Sequence, residues 1–339
     1  MRVAVLGAGA WGTTIATLAA ASAPTRLWAY EPEVVRSIRE QGENSTYLAG
    51  YQLPSSLHPT NDLADAVEGA DLVIVAVPAR HLRAVMGVAG TSMGSEPLVL
   101  SLTKGIEPET GRRMTEVLFE VLTDHEPNAI GVLSGPNLAH EVMAGHPSAT
   151  CVAFPDVTYA ESVQQLLMSD RLRVYTSPDV IGCEIGGAVK NVIAIAAGVA
   201  DGLGYGMNTK AALITRGLAE LSRLGVAAGG QALTFLGLAG NGDLIATCSS
   251  PQSRNHRVGQ QLAAGRSVGD IVADSSAVAE GVETAPAVME LSRRLGVDMP
   301  ICETVDAMLA GQLAPTDALL TLMRREPKGE LDGLPTITP

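Results

Sequence analysis

Three glycines, Gly7, Gly9 and Gly12, set within "VAVLGAGAWG", constrain this chain more than any other stretch of it. A β-branched run leads into them and the helix-compatible run "TTIATLAAA" follows. Gly7 suits the bend from strand to helix, Gly9 lets a pyrophosphate approach the backbone, and Gly12 lets helix and strand pack closely. The amides around Ala10, Trp11 and Gly12 then open a helix toward an anion. A strand, such a turn and a helix in this order imply a sheet domain that binds a dinucleotide.

The rest of the first half agrees. β-rich runs at residues 3–7, 25–30, 71–77, 97–103, 129–135, 149–154 and 172–177 alternate with helical stretches. Several are continuously apolar, as strands covered on both faces are, so the pattern predicts an α/β fold with a mostly parallel sheet. After about residue 180 the β-rich runs stop. Patterns such as "TKAALITRGLAELSRLG" and "APAVMELSRRLG", each closing on a glycine, predict an all-helical second half. The expected organisation is a dinucleotide-binding domain over 1–183, a helical substrate-binding domain over 184–326 and a loose tail over 327–339.

Acidic residues outnumber basic ones by 36 to 23, a net charge of −13, which argues against general affinity for nucleic acid or anionic membrane. An anionic ligand must therefore meet a local basic cluster. The four cysteines form no CxxC pair and read as small buried hydrophobes in a reducing compartment. "HEVMAGH" has the wrong spacing for a zinc HExxH pair, so no metal is expected. No signal segment follows Met1, and the apolar run 189–200 is too short to span a bilayer, so membrane insertion is not expected.

Polar residues interrupt apolar runs at a few places. Lys190 lies inside "GGAVKNVIAIAAG", where an ammonium is costly without partners from elsewhere in the chain. Lys104, in "SLTKGIE", falls at a strand end, where open α/β sheets bind ligands. "LSGPNLAHE" is another strand end, suited to an anion or a nicotinamide carboxamide. Asp243, in "GNGDLIATC", reads by default as a helix N-cap. "SRNHR", at 253–257, is the densest group of phosphate-grade donors in the acidic helical half, with a surface cation cluster as the alternative. Glu31, about 20 residues past the glycine turn, sits where a carboxylate accepts from the adenosine ribose, which favours NAD. Arg36 and Arg39 further along keep the NAD versus NADP preference open.

Taken in order, "GAGAWGT", "TKGIE", "SGPN", "GGAVKNVIAIAAGVADGLGYGMNTKAALITRGLAE", "GNGDL", "SRN" and "AEGVET" resemble bacterial NAD(P)-dependent glycerol-3-phosphate dehydrogenase, over residues 3 to about 320. The resemblance implies a Rossmann-type domain followed by a helical one in a cytoplasmic homodimer. It also implies interconversion of dihydroxyacetone phosphate and sn-glycerol 3-phosphate with NADH or NADPH, at the start of phospholipid synthesis. On the same resemblance, Lys190 matches the proton-transferring lysine, with Lys104 and Asp243 beside it. Lys104, Gly135, Asn137, Lys190, Asp243, Ser253, Arg254 and Asn255 are the substrate contacts expected on this resemblance. Trp11, Tyr30, Tyr47, Lys104, Ala139, Arg254, Val278 and Glu280 match cofactor contacts.

Two positions depart from that pattern. Relatives that prefer NADPH commonly carry a basic residue where this chain has Tyr30, and relatives often carry a hydroxyl residue where it has Asn137. Two other readings stand beside the resemblance. A β-hydroxyacid or ketopantoate-type dehydrogenase would not need "SRN", and a non-catalytic dinucleotide sensor would not need Lys190, Lys104 and Asp243. For the mechanism, burial and Lys104 are expected to lower the Lys190 pKa and Asp243 to raise it. Gly186 and Gly187 are expected to let ligands approach the amine.

Overall fold

The computed structural model describes residues 1–94, 96–274, 279–327, 329–330 and 332. Its eight strands are β1 (Val3–Leu6), β2 (Thr25–Trp28), β3 (Leu57–Thr60), β4 (Leu72–Val75), β5 (Leu98–Ser101), β6 (Ile130–Ser134), β7 (Ser148–Ala153) and β8 (Leu172–Ser177). They form one sheet in the order β3-β2-β1-β4-β5-β6-β7-β8, parallel throughout except where β6 meets β7. The reversal of order beside β1 leaves the glycine turn at the C-terminal edge of the sheet, where such folds bind ligands.

Between the strands run α1 (Ala10–Ala20), α2 (Pro32–Gln41), α3 (Leu63–Val67), α4 (Ala79–Met93), α5 (Met114–Val121), α6 (Ala139–Met143) and α7 (Val157–Leu167). Val3 and Val5 of β1 pack with α1, α2 and α7 in one aliphatic layer, while Ala4 and Leu6 pack with α3, α4 and α5 in the other. Alternate residues of one strand thus face opposite layers, which is why the central runs are apolar throughout. One strand escaped the sequence reading: β3, "LHPT", carries Pro59. It is an edge strand, where a residue without an N–H costs no ladder bond.

The remaining helices are α8 (Val180–Gly202), α9 (Met207–Ala227), α10 (Asp243–Ser249), α11 (Arg254–Ala263), α12 (Val268–Ala273), α13 (Glu280–Leu295), α14 (Pro300–Leu309) and α15 (Pro315–Met323). By packing, Met1–Thr103 and Met114–Val180 make a sheet unit, and Lys104–Arg113 joins Ile181–Pro339 in a helical unit. A single boundary near 183 does not describe this, because Ile106 is 1% exposed within the aliphatic core of the helical unit and Arg113 pairs with Glu184. Most of the expected tail, residues 328, 331 and 333–339, lies outside the described residues.

Helix α8 is the axis of the helical unit. It runs 23 residues, longer than its apolar stretch suggested, and is apolar enough to cross a membrane, yet 89% of that apolar window is buried among its neighbours. Glycine sets how closely those neighbours come. A Cβ on Gly198 would strike the His256 carbonyl of α11, and one on Gly259 would strike the Ile195 carbonyl of α8, so the two helices cross backbone to backbone. Near the other end, a Cβ on Gly186 would strike the Ala239 carbonyl. The role expected of Gly186, room for a ligand, gives way to packing. Helix α9 likewise continues through Gly225, the glycine expected to end it, because that position faces the Phe235 ring and has no room for a side chain.

Helix α9 also carries Glu220, 1% exposed, whose carboxylate accepts from the Ile301 and Cys302 amides at 2.7 and 3.2 Å. Pro300 opens α14 without an N–H, so this carboxylate from another helix satisfies the next two donors. Burial pushes the Glu220 pKa up to about 7, against the pull of those two amides and of Arg223. A carboxyl that holds its proton more tightly folded than unfolded makes stability fall as pH rises from the ordinary 4.5 toward about 7, and level off above. Urea melts at about pH 5 and about pH 8 should therefore show wild type losing on the order of 2 kcal/mol more than Glu220→Gln across that interval. Equal losses would contradict it.

Candidate active site

In the helical unit two lysines meet one carboxylate. Lys104 Nζ lies 2.6 Å from Asp243 Oδ2, and Lys190 Nζ lies 3.0 Å from Asp243 Oδ1. Lys190, midway along α8, is 6% exposed and Asp243 2%. Asp243 does not cap a helix as its sequence context suggested. Residues Leu238–Gly242 form a π-helical turn that runs straight into α10, and Asp243 is the first residue of that helix, aimed back at α8. The Gly186 contact with Ala239 seats this turn against α8, and wide helical turns of this type recur at functional sites.

The sequence reading missed a fourth member, Thr247. It lies one helical turn after Asp243 on α10, so both side chains share a face. Lys190 donates to Thr247 Oγ1 at 2.7 Å, and that hydroxyl donates to the Asp243 carbonyl at 2.6 Å. The i, i+4 spacing of Asp and Thr in "GDLIATC" was the available signal. An ammonium has three N–H bonds. Asp243 and Thr247 take two of the three on Lys190, and the third has no partner among the described residues.

Burial lowers the Lys190 pKa most, Asp243 opposes this, and the nearby Lys104 charge lowers it again, for a net depression. Both expected directions hold, and desolvation decides the balance. Cys248, next to Thr247, is a fully buried thiol pushed up to about 12 by desolvation, so it contributes no thiolate. Cys183 and Cys302 are buried as well, while Cys151 is half-buried.

The "SRN" residues open α11. Ser253 is the N-cap, its Oγ accepting from His256 N, and Arg254 is the exposed first residue of the helix. Asn255 is buried and engaged on both sides of its amide: Nδ2 donates to Asn191 Oδ1 at 2.9 Å, and Oδ1 accepts from Gly281 N at 2.9 Å. Because Asn191 follows Lys190 on α8, the amide pair fixes the start of α11 relative to the lysine. Asn191 also donates to Glu280 Oε2 at 3.3 Å; burial raises the Glu280 pKa while the Arg254 charge pulls it down. Further along, His256 Nε2 and Lys210 Nζ both meet Asp201 Oδ2, at 2.8 and 2.6 Å, tying α11 and α9 to the end of α8.

The other expected residues belong to the sheet unit. Gly7 adopts φ +114°, which disfavours a side chain, and a Cβ on Gly12 would strike the Gly7 carbonyl. A Cβ on Gly9 would meet nothing within 4 Å, so the backbone there is open, and no side chain caps α1. The Trp11 indole N–H in the first turn of α1 is buried without a partner among the described residues. An open glycine cradle, free helix amides and an orphaned N–H fit a dinucleotide's pyrophosphate. Buried Asn44 donates to the Ala8 carbonyl and to Thr13 Oγ1, both at 2.8 Å, and its Oδ1 accepts from Tyr47 N; the Tyr47 hydroxyl then donates to Glu31 Oε1 at 2.9 Å. Tyr30 is 79% exposed.

Gly135 follows β6 at φ +155°, with Thr150 against it, and Asn137 donates to Thr150 Oγ1 at 2.9 Å while its Oδ1 is buried and unpartnered among the described residues. Ala139 begins α6, which packs on α1. Val278 lies outside the described residues.

The sequence models of NAD-dependent glycerol-3-phosphate dehydrogenase match this chain in two parts, the N-terminal over residues 2–160 and the C-terminal over 179–320. This chain belongs to that family. It is 47% identical to glycerol-3-phosphate dehydrogenase (NAD(P)+) 2 of Sphingopyxis alaskensis, over 96% of each chain. It is 48% identical to the glycerol-3-phosphate dehydrogenase (NAD(P)+) of Thermobifida fusca, over 98% of this chain and 99% of the other. Among solved structures, the glycerol-3-phosphate dehydrogenase of Coxiella burnetii superposes with a TM-score of 0.91 at 35% identity, over 96% of this chain and 99% of that one.

Membership does not explain why Asp243 holds two lysines, but charge does. Replacing it by asparagine would remove the carboxylate that both ammonium groups share, a loss of about 3 kcal/mol for breaking a buried pair. Urea melts of Asp243→Asn should show that loss at neutral pH. It should shrink as the pH approaches lysine's ordinary 10.5 and Lys190 can shed its proton.

Proposed function

We propose that the chain interconverts dihydroxyacetone phosphate and sn-glycerol 3-phosphate with NAD(P)H. The observation that carries this reading is the Lys190 ammonium, buried, oriented by Asp243 and Thr247, and left with one N–H unclaimed among the described residues. The names of the relatives agree with it. The glycine turn, Trp11, Tyr30, Glu31 and Tyr47 would hold the dinucleotide, with Lys104, Ala139, Arg254, Val278 and Glu280 as further contacts. The dinucleotide, when bound, exchanges a hydride with the substrate carbon.

The chain's own groups handle the proton and the phosphate. In ketone reduction, the free N–H of Lys190 points at the carbonyl oxygen and delivers its proton as that oxygen becomes an alkoxide. In the reverse direction the neutral amine takes the hydroxyl proton, and its depressed pKa makes that form accessible. Asp243 keeps the amine oriented and tempers the depression, and Lys104 adds a second positive charge beside the substrate. The Arg254 guanidinium, the Ser253 hydroxyl and the first amides of α11 would hold the phosphate, while Asn255 positions that helix end through Asn191. Gly135 and Asn137 complete the substrate contacts in this reading.

The family supports placing the activity in the cytoplasm, in the supply of glycerol 3-phosphate for phospholipid synthesis. It also supports a homodimer, for which Met207, Leu233 and Leu236 offer exposed apolar surface on the helical unit. The net charge of −13 supports the absence of a nucleic-acid partner. The burial of α8 within the helical unit supports a chain that is not inserted in a membrane.

Cofactor oxidation with dihydroxyacetone phosphate tests the reading. Lys190→Met should lose at least about 100-fold in kcat while still binding the dinucleotide, and near-normal turnover would remove its acid–base role. Arg254→Ala should raise KM for dihydroxyacetone phosphate at least about tenfold. An unchanged KM would move the phosphate elsewhere.

A further inference from the structure

Glu31 closes β2 and serves as the N-cap residue of α2 without capping it, so its carboxylate is not spent on helix amides. The Tyr47 hydroxyl donates to Oε1, and Oε2 accepts nothing from the described residues. This placement does not depend on surface chance. Asn44, fully buried, bonds to the carbonyl of Ala8 inside the glycine turn and to Thr13 on α1, and it receives the Tyr47 amide. A chain of hydrogen bonds thus runs from the turn that would hold the pyrophosphate, through Asn44 and Tyr47, to the Glu31 carboxylate. Burial and Glu31 both raise the Tyr47 pKa, which keeps its hydroxyl protonated and donating.

The surroundings of Glu31 are acidic as well. No basic residue occurs from Trp28 to Val35, and Glu33 adds a second carboxylate in the first turn of α2. Arg26, on β2, donates to the Asp65 carbonyl, and two further arginines follow along α2. Arg36 is one turn on, and Arg39 is engaged at 2.9 Å by the Pro59 carbonyl.

We propose that Glu31, held in place by Tyr47 and Asn44, makes this chain selective for NADH and rejects the 2′-phosphate of NADPH. The inference rests on the dinucleotide reading above, with the adenosine ribose at the end of β2. In NADH the ribose 2′-hydroxyl donates to Oε2. In NADPH that donor is replaced by a phosphate that can only accept, carries nearly two negative charges, and meets an acceptor-only carboxylate with no basic residue from Trp28 to Val35 to offset it. Tyr47 acts as a positioning residue, since its hydroxyl fixes which oxygen of Glu31 faces the ribose.

Calorimetric titration of the full-length protein with NADH and with NADPH, in the absence of substrate and at one ionic strength, tests this by dissociation constant rather than by turnover. NADH should bind at least about 30-fold more tightly. Tyr47→Phe should narrow that ratio about fivefold, mostly through weaker NADH binding, whereas a merely structural tyrosine would weaken both nucleotides alike. The pair Tyr30→Arg with Glu31→Ser should bring the ratio to unity or below by adding a cation and removing the carboxylate. NADPH binding as tight as NADH in the wild type, or Glu31→Ser changing both affinities by one factor, would overturn the inference and leave the dinucleotide reading intact. Failure of both nucleotides to bind would overturn that reading too.

Discussion

Two ammonium groups share one buried carboxylate, and much of the helical unit exists to make that arrangement tolerable. Asp243 offers one oxygen to each lysine, and Thr247 supplies Lys190 with a neutral acceptor. The triad thus gathers two amines around one carboxylate. In a chain with a net charge of −13 that gathering of amines is what the proposed phosphorylated substrate would need, with Arg254 at the head of α11 as its proposed phosphate contact. The geometry depends on how closely backbones approach α8. Without the contact of Gly186 with Ala239 the π-helical turn would stand off, and without the Gly198 and Gly259 crossing the start of α11 would move away from the lysine.

Both units solve the same problem by the same means. In each, a buried amide from elsewhere in the sequence fixes the backbone beside a proposed site residue. In the helical unit Asn255 reaches Asn191 beside Lys190, with a separation of 64 residues. In the sheet unit Asn44 reaches the Ala8 carbonyl, 36 residues away, and passes orientation to Glu31 through Tyr47. Buried amides with every atom paired are costly to misplace, so each pins its backbone segment to one position.

The fold was legible where a local pattern carries the information. The central strands could be read because burial on both faces leaves continuous apolar runs, and Gly296 ends α13 in the left-handed conformation its sequence foretold. Legibility failed where the answer depends on a distant partner. Gly225 looked like a helix end and is instead the seat of the Phe235 ring. Asp243 looked like a cap because a π-helical turn has no sequence signature. Segment 104–113 looked like part of the sheet unit because its contacts with α8 involve residues far along the chain. For the site, the identity of the chemical groups was readable from lysine, aspartate and arginine in unusual company, and the family match agrees with that order of motifs. Thr247 and Asn44 stayed hidden, since threonine and asparagine are ordinary in helices and loops until their partners are known.

The helical unit is therefore not a continuous stretch of polypeptide. Its Lys104 precedes the partner Asp243 by 139 residues, and Arg113 precedes Glu184 by 71. During synthesis the segment carrying Ile106 leaves the ribosome long before the core that will enclose it has been made. It must wait, solvated, while the rest of the sheet unit is completed around its two ends. A gene fragment that began at Ile181 would supply every helix of the unit but not its first charged pair. Asp243 would keep Lys190 alone, Glu184 would be left without its arginine, and the aliphatic core would contain a hole the size of one isoleucine.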